Sequence, residues 1–406
     1  MMVIPRPRYM NRLLREKGKK IIKIITGLRR AGKSTLLFEL YYQELLQRGV
    51  PADHIIRIPL DSIRYIGLRE PMTLYRYISD AIHDGEMYYI FLDEIQLVKG
   101  FEDVVNGLAR DFNCDIYLTG SNSRFLSSDV NTRFRGRGIE IKVFPLLFSE
   151  YYAFYGGDKR ECFRQYMLYG GMPYLLQEEN PMDKASYLKM IAETVALKDM
   201  EERYKIRNPE AFRAIMELLA SSIGSYVSAN KIARTLASAG NREVTSKTVS
   251  LYLNYLCDSF LFYRARRFDI KGKEYLKTLQ KYYMADIGLR NAVLGFRQLE
   301  PTHSLENIIF LELESRNYLV DIGKNENKEI DFLVRNLKDT FYVQVSYTLS
   351  GPDTMKREIG AFRNLDDGYK KIIITMDDDP YTHLERGYKK VNALDFLLNE
   401  RSLEEV

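Results

Sequence analysis

The chain has 406 residues, a length that predicts two to four domains, and its apolar content of 46% is enough for several cores. Its 60 basic and 55 acidic residues leave a net charge of only +5, so nucleic-acid binding would need a local basic patch. The three cysteines form no CxxC pair, which excludes the usual zinc and disulfide patterns. No apolar run reaches the roughly 18 residues of a membrane helix, so we expect a soluble, cytoplasmic protein.

One basic stretch lies near the N-terminus, between Arg6 and Lys23. It contains eight lysines and arginines, which are offset only by Glu16. Two interpretations stay open, a solvated arm or helix face and a contact with nucleic acid.

The first 150 residues alternate short apolar runs with segments of helical periodicity. This alternation predicts a parallel sheet with helices on both faces, hence an α/β fold. The predicted strands are 21–26, 54–60, 88–93 and 114–120, and the predicted helices are 33–48, 72–83 and 101–112.

The middle of the chain changes character. Residues 151–225 are mostly helical and rich in tyrosine, which is typical of a helical lid or linker region. Residues 226–300 begin with helix, turn, helix and strand, the order of a winged helix-turn-helix, and Ser246 is in position to cap the second helix. Such a unit binds DNA or serves only for packing. Lys247 is the only basic residue in the first part of the second helix, whereas the following strand contains Arg264, Arg266 and Arg267.

The last segment, residues 301–406, has a second α/β pattern. Its predicted helices are 305–318 and 355–365, and its predicted strands lie near 317–323, 329–335, 340–347 and 370–376.

A phosphate-binding motif follows the first predicted strand. The segment GLRRAGKS, from Gly27 to Ser34, fits the pattern G-x-x-x-x-G-K-[ST]. Glycines allow backbone N–H groups to turn towards an anion, and the following helix places its positive end there. Lys33 would reach the β- and γ-phosphates, and the Ser34 hydroxyl would bind Mg²⁺. The residues predicted to bind the nucleotide are Gly27, Leu28, Arg29, Arg30, Ala31, Gly32, Lys33, Ser34 and Thr35.

Two acidic residues end the predicted strand at 88–93. We expect Asp93 at the carboxyl edge of the sheet, where it would hold the Mg²⁺, and Glu94 beside it as the base that activates the attacking water. Asn122 follows the next strand and is a candidate contact to the γ-phosphate or to that water. Arg133, Arg135 and Arg137 lie further on; an arginine there would neutralise charge on the γ-phosphate, from the same chain or a neighbouring one, or belong to a basic surface loop.

The nucleotide is predicted to be ATP. A GTPase needs an N-K-x-D element to recognise guanine, and the sequence contains none: Asn327 and Lys328, for example, are followed by Glu329 and Ile330.

Together these motifs resemble a group of bacterial and archaeal AAA-type ATPases. The similar segments are GLRRAGKST, IFLDEIQ, YLTGSNSRFLS, FRGRGIEI and FPLLFSEYYAF, with YMLYGGMPYLL, KDMEERYKIRN, LENIIFLEL, EIDFLV and YVQVSY further on. The resemblance covers nearly the whole chain. It implies an ATPase domain at 1–150, with Lys33 and Ser34 as the Walker A pair, Asp93 and Glu94 as Walker B, and Asn122 as the sensor. It also implies that Arg133 or Arg137 lies at the arginine-finger position, and that some members form homo-oligomers.

The segment 301–406 resembles the restriction-endonuclease-like fold. There a helix acid, a strand Asp and an E-x-K element hold metal and activate water. The matching residues are Glu306, Asp331, Gln344 and Ser346. The last two depart from the pattern, because Gln344 stands where the pattern has an acidic residue and Ser346 supplies no cationic amine. We therefore predict a nuclease-like domain that does not cut.

The sequence thus predicts a protein that hydrolyses ATP with Mg²⁺ to drive a conformational change, with double-stranded DNA as a candidate partner. Two alternatives remain: an ATP-gated nuclease that uses Glu306 and Asp331, and a nucleotide-dependent switch that binds a protein partner.

Overall fold

The computed structural model describes residues 4–121, 134, 136–194, 199–297, 299–378 and 383–405. The chain divides into two compact units. The first comprises residues 1–145 with 258–260, and the second comprises residues 146–257 with 261–406. None of the helices in the described ranges is long and apolar enough to cross a membrane.

The first unit is built on a parallel sheet of five strands in the order β2-β3-β4-β1-β5. The three inner strands are short, rich in β-branched or aromatic residues and almost fully buried, as expected for strands that are covered on both faces. The strands are β1 (Ile22–Thr26), β2 (Ile55–Pro59), β3 (Tyr88–Asp93), β4 (Cys114–Gly120) and β5 (Gly138–Lys142).

Helices cover both faces of this sheet. Adjacent residues of β1 point to opposite faces, so Ile24 packs in the core beneath α4 and α5, and Ile25 packs in the core beneath α1 and the helical run after β1. The α/β fold predicted from the alternating pattern is therefore confirmed. The helical elements are α1 (Pro7–Glu16), α2 (Lys33–Thr35), a π-helical turn (Leu36–Tyr41), α3 (Tyr42–Gln47), α4 (Pro71–Asp80) and α5 (Phe101–Asp111).

The second unit begins with helices and continues into a mixed sheet of eight strands, in the order β13-β12-β11-β10-β9-β7-β8-β6. The helices are α6 (Phe148–Tyr155), α7 (Lys159–Tyr169), α8 (Pro181–Glu193), α9 (Asp199–Tyr204), α10 (Pro209–Ser221), α11 (Ala229–Ser238), α12 (Ser246–Asp258), α13 (Ile287–Val293), α14 (Pro301–Ser315), α15 (Pro352–Ala361) and α16 (Ala393–Leu398). The strands are β6 (Tyr226–Val227), β7 (Phe262–Asp269), β8 (Glu274–Met284), β9 (Leu319–Asn325), β10 (Lys328–Arg335), β11 (Thr340–Ser346), β12 (Lys370–Thr375) and β13 (Lys389–Asn392).

The segment in which the sequence predicts a helix-turn-helix contains α11 and α12, followed by the antiparallel hairpin β7–β8. Gly240, at φ +100°, lies just beyond the end of α11. The predicted cap at Ser246 is wrong by one residue: α12 begins at Ser246, and the Thr245 hydroxyl accepts the backbone N–H of Thr248 at 3.2 Å. A residue just outside the helix is better placed to accept such an N–H group.

The hairpin is also part of the larger sheet. Strand β7 pairs in parallel with β9, with Arg267 opposite Ile322 and Asp269 opposite Lys324. Strands from the segments 226–300 and 301–406 thus share one hydrogen-bonded sheet. The sequence contains no signal for this pairing, because it joins strands that are far apart along the chain.

A buried carboxylate, that of Asp286, links two segments in the helical part of this unit by hydrogen bonds. Asp286 accepts the backbone N–H groups of Gly171 at 2.6 Å and Leu289 at 2.9 Å, and burial raises its pKa to about 6. A Cβ atom on Gly170 would lie 2.2 Å from an Asp286 carboxylate oxygen. The chain can approach Asp286 this closely because Gly170 has no side chain.

Candidate functional site

The loop between β1 and α2 is shaped by backbone conformations that favour glycine. Gly27 has φ +140°, and a Cβ atom there would lie 2.0 Å from the carbonyl oxygen of Val143. Gly32, at φ +94°, immediately precedes α2, and Arg30 between them is also left-handed at φ +66°. The N–H groups in the first turn of a helix have no partner within that helix, so this loop presents backbone donors at the carboxyl edge of the sheet.

Lys33 is buried at the centre of this loop. Its side chain turns back, and its Nζ donates to the carbonyl oxygens of Gly27 at 2.9 Å and Leu28 at 3.0 Å. Desolvation lowers the pKa of Lys33 to about 8, while the negative charges of Glu94 and Asp93 act to raise it. The ammonium group therefore lies within electrostatic reach of both predicted carboxylates.

Strand pairing explains why residues about 60 positions apart meet at this edge. Strand β4 lies between β1 and β3, so the carboxyl ends of all three are adjacent, with Thr26 opposite Gly120 and Leu92 opposite Leu118. Asp93 ends β3 and is buried, with 4% of its surface exposed.

Thr119, near the end of β4, connects the two acidic residues. Its hydroxyl donates to the Asp93 carboxylate and accepts the backbone N–H of Glu94 at 3.0 Å. Glu94 itself is left-handed, at φ +49°, so the chain turns sharply as it leaves β3. Thr119 thus fixes the directions in which two neighbouring carboxylates leave the sheet.

Two further side chains hold the Glu94 carboxylate. The Gln96 amide donates to it, and the Ser121 hydroxyl lies 3.4 Å from the same oxygen. The Gln96 Oε1 atom is buried and has no hydrogen-bond partner among the described residues. A Cβ atom on Gly120 would lie 3.2 Å from it, so the glycine leaves room beside this oxygen. Sequence reasoning missed Thr119 and Gln96 as site residues, because their roles depend on contacts between strands and within a tight turn.

The other predicted nucleotide contacts are placed as follows. Ser34 and Arg29 are exposed around the loop, Thr35 is half-buried, and Ala31 is buried, with its N–H donating to the Leu28 carbonyl at 3.2 Å. Asn122, Arg133 and Arg135 lie outside the described residues.

The structure does not bring Arg137 to this site. Its carbonyl oxygen accepts the N–H of Ile22 at 2.7 Å, where β1 begins, whereas the phosphate loop follows the end of β1. A strand of five residues spans about 15 Å, so Arg137 lies at the opposite edge of the sheet.

The basic N-terminal stretch is not simply a solvated arm, because α1 packs in the core of the first unit. Arg6 is buried and donates to the carbonyl oxygens of Ala31 at 3.1 Å and Phe144 at 2.8 Å. Tyr9 accepts the backbone N–H of Phe144 at 3.1 Å. This helix therefore braces the phosphate loop from outside the sheet.

A second cluster of charged groups lies in the second unit. Glu306 on α14 and Asp331 on β10 lie beside Lys281 of β8, whose Nζ is 3.0 Å from Glu306, 2.6 Å from Glu329 and 3.9 Å from Asp331. The Tyr283 hydroxyl also donates to Glu306, at 2.7 Å. These opposite charges raise the pKa of Lys281 against the effect of its burial.

The other two predicted positions point elsewhere. The Gln344 carbonyl oxygen accepts the backbone N–H of Asp331 at 2.7 Å, and its amide donates to Glu358 at 2.7 Å. Ser346 donates to the Thr348 carbonyl at 2.9 Å. Within the part of the chain that the structure describes, no group of three or more acidic, histidine or cysteine side chains is arranged to hold a metal ion.

Two family matches cover most of the chain. Residues 19–152 match a family described as an AAA domain, and residues 160–300 match a domain of unknown function.

Two relatives that match over most of their length are described as uncharacterised proteins. One from Haemophilus influenzae is 35% identical over 403 residues, which is 98% of this chain and 99% of the relative. One from Methanocaldococcus jannaschii is 26% identical over 400 residues, which is 92% of this chain and 85% of the relative.

Two solved structures are distant neighbours. The Orc1 protein of Aeropyrum pernix, in complex with DNA, is 13% identical, and the match covers 72% of this chain and 93% of that protein with a TM-score of 0.31. Cdc6p from Pyrobaculum aerophilum is 11% identical, and the match covers 71% of this chain and 91% of that protein with a TM-score of 0.27. These TM-scores are too low to support a conclusion about this chain.

The loop geometry predicts a large difference between two glycine substitutions. We expect Gly27→Ala to lower the free energy of unfolding by about 3 kcal/mol, because the new methyl group overlaps the Val143 carbonyl and φ is unfavourable. Gly18→Ala is the control: Gly18 has φ +72° but no atom within 4 Å of a Cβ, so it should lose only about 1 kcal/mol. Urea denaturation measures both, and equal losses would contradict the close approach at Gly27.

Proposed function

The chain belongs to the same family as its Haemophilus influenzae relative, and its residues 19–152 match the AAA-domain family. From this we propose that the first unit binds ATP with Mg²⁺ and hydrolyses it to drive a conformational change. The main support is the buried Lys33 ammonium group, which lies in a loop of backbone donors and within electrostatic reach of Asp93 and Glu94. A buried cation beside two carboxylates at the carboxyl edge of a parallel sheet suits a phosphate ligand that carries a divalent metal.

Phosphate binding would use the loop from Gly27 to Thr35. The backbone N–H groups at the start of α2 would donate to the β- and γ-phosphates. Lys33 would exchange its two neutral carbonyl acceptors for charged phosphate oxygens, and hydrogen bonds to charged groups are the stronger. The exposed positions of Arg29 and Arg30 would place their charges around the rim of the loop.

The residues present fit a magnesium ion at one point. Ser34 presents an exposed hydroxyl in the first turn after Lys33, and Asp93 is held by Thr119 with its carboxylate at the same edge. Hydroxyl and carboxylate oxygens are ligands of the hard kind that Mg²⁺ prefers. When bound, the ion would neutralise charge that develops on the phosphate oxygens.

Glu94 is the proposed general base. It would take a proton from a water molecule whose oxygen forms a bond to the γ-phosphorus as the bond to the bridging oxygen breaks. The electron pair of that bond leaves with ADP, and the proton passes on to the released phosphate. Gln96 and Ser121 would hold the Glu94 carboxylate in direction, and the unpartnered Gln96 oxygen would accept a hydrogen bond from the water. Asn122 remains the candidate contact to the γ-phosphate.

The arginine finger is proposed to act between copies of the chain. Arg137 lies at the far edge of the sheet, so it would have to reach the nucleotide of a neighbouring copy. Arg133 is the second candidate, for either arrangement. We therefore include a homo-oligomer in the proposal.

The C-terminal segment is proposed to have a nuclease-like fold that does not cut nucleic acid. A metal ion does not fit there, because the Lys281 ammonium group already lies among Glu306, Glu329 and Asp331. Both polar atoms of the Gln344 side chain are already hydrogen-bonded, one to Asp331 and the other to Glu358. Lys281 is then a structural counter-ion to the buried Glu306 and to the half-buried Glu329 and Asp331.

A nucleotide-dependent switch is the remaining alternative. It would use the same loop for tight ATP binding but show negligible turnover. The contacts that hold Glu94 favour hydrolysis, since a switch has no need to orient a base.

Replacing the proposed base separates binding from chemistry. We expect Glu94→Gln to retain ATP binding and to reduce turnover by at least about 100-fold, because the amide cannot take a proton from water. Phosphate release measures turnover, and calorimetric titration with ATP measures binding. Glu39→Gln, an exposed position on the π-helical turn, is the control and should leave both unchanged. Normal turnover in Glu94→Gln would refute the assignment of the base.

The affinity for ATP should depend on pH through Lys33. Its pKa is about 8 in the free protein, and bound phosphate charge would raise it, so binding above pH 8 requires uptake of a proton. We expect the dissociation constant to change little through Lys33 below that pH and to rise towards about tenfold per pH unit above it. Isothermal titration from about pH 7 to pH 9.5 tests this.

Lys33→Arg is the control for that measurement. Arginine stays charged throughout this range, so whatever affinity the variant keeps should lack the rise above pH 8. A parallel rise in both proteins would assign the pH dependence to another group.

Lys281→Met tests the proposed counter-ion. Removing one partner from a buried ion pair leaves uncompensated charge, so we expect a loss of about 3–5 kcal/mol in the free energy of unfolding. The exposed pair of Lys271 and Glu326 supplies the control, and Lys271→Met should cost less than about 1 kcal/mol. Urea denaturation measures both variants.

The unmodified protein should also leave supercoiled plasmid uncut in the presence of ATP with Mg²⁺ or Mn²⁺. Cleavage that is lost in Asp331→Ala would overturn this part of the proposal and favour the ATP-gated nuclease.

A further inference from the structure

Positive charge is concentrated in the helix-turn-helix segment and its hairpin. Residues 228–284 contain 11 lysines and arginines and four aspartates and glutamates, a net charge of +7, whereas the whole chain has +5. The remaining residues are therefore slightly acidic. A local excess of this size is the electrostatic mark of a surface that meets a polyanion.

Some of these basic side chains make contacts within the protein. Arg266 stacks on Tyr275, with its guanidinium carbon 4.0 Å from the ring centroid, and lies 3.8 Å from Asp321. Arg267 lies over the ring of Tyr226 at 4.8 Å. These contacts hold the hairpin to the rest of the sheet, so neither arginine is counted towards a binding surface. Lys281 is not counted either, because it is buried beside Glu306.

A concave face lies between α12, the start of α11 and the hairpin. It encloses about 460 Å³ and is lined by polar groups on three elements, with no carboxylate among the lining residues of the described chain. Six of the lining residues bear on what could bind here: Ser228, Lys247, Ser250, Asn254, Arg264 and Tyr282.

Three exposed polar residues of α12 form one row on this face. Lys247, Ser250 and Asn254 are spaced three and four positions apart, so they follow one side of the helix. Arg264 of β7 is exposed and donates to the Asn254 side chain at 3.3 Å, which keeps its charge beside the helix. The N-terminal end of α11, which is capped by Ser228, adds the positive end of a helix dipole.

We propose that this concave face binds double-stranded DNA, with the exposed side of α12 entering the major groove and Lys247 and Arg264 contacting phosphates. The width of the major groove admits one α-helix, and amide and hydroxyl groups such as those of Asn254 and Ser250 suit base edges and phosphates. Single-stranded nucleic acid is usually held by exposed aromatic rings, and the only aromatic residue of this face, Tyr282, is 4% exposed. The proposal does not depend on ATP hydrolysis.

Fluorescence anisotropy with a labelled duplex of about 20 bp, or two helical turns, tests the proposal without nucleotide. The full chain should bind, with an affinity that falls as salt is raised. The double substitution Lys247→Glu with Arg264→Glu should weaken binding at least tenfold and reduce the slope of log K against log salt by about 2, because two phosphate contacts are lost. Lys33→Ala should bind as the unmodified protein does, so failure here is distinct from failure of the ATPase proposal.

The matched control reverses two charges elsewhere in the second unit. Lys189 on α8 and Arg213 on α10 are exposed, and Lys189→Glu with Arg213→Glu changes the net charge by the same amount. This control should keep the affinity. Equal loss in both double variants, or no binding by the unmodified protein, would overturn the proposal.

Two further measurements keep the test decisive. If the first double variant does not fold, Ser250→Glu places one negative charge on the exposed row and should weaken binding on its own; unchanged binding would overturn the proposal. A single strand of equal length should bind more weakly than the duplex. Equal or tighter binding of the single strand would overturn the proposal that α12 enters the major groove of a duplex.

Discussion

The central constraint of the first unit is the burial of the Lys33 ammonium group. Two loop carbonyls accept its hydrogen bonds, and the two carboxylates at the end of β3 offset part of the cost of its desolvation. This arrangement requires that β4 separate β1 from β3, that Gly27 turn without a side chain, and that Thr119 direct the Asp93 carboxylate. The burial of Lys33 therefore depends jointly on the order of the strands, on the identity of the loop residues and on the charges nearby.

The sequence predicts the parts of this site that depend on local pattern. A glycine-rich turn between a strand and a helix, and an apolar strand that ends in Asp93 and Glu94, carry their own signals. Contacts across strands carry none, which is why Thr119 was missed as a site residue. Gln96 was missed for another reason, because a polar residue after a strand ordinarily indicates only a solvated turn. The position of Arg137 follows from the parallel pairing of β5 with β1, which places the start of β5 beside the start of β1 and away from the loop.

Both units bury a lysine among carboxylates, with different physical consequences. Lys33 has neutral carbonyl acceptors and distant charges, so its pKa falls and a stronger anion would improve its environment. Lys281 contacts Glu306 and Glu329 directly, so its pKa rises and its environment is already complete. The sequence pattern indicated that the cation is missing, because Ser346 stands where the pattern has a lysine. A cation nevertheless enters this cluster from β8, outside the segment in which the pattern was sought.

The parallel pairing of β7 with β9 joins the helix-turn-helix hairpin to the last hundred residues. This pairing restricts where the chain can be shortened. Truncation near residue 300 would remove β9 and expose the N–H and C=O groups of β7 as a free edge, which favours aggregation. Lys281 would lose Glu306, Glu329 and Asp331 in the same step. The hairpin is therefore not a module that can be exchanged alone, and a soluble fragment that contains α12 should extend to the end of the chain.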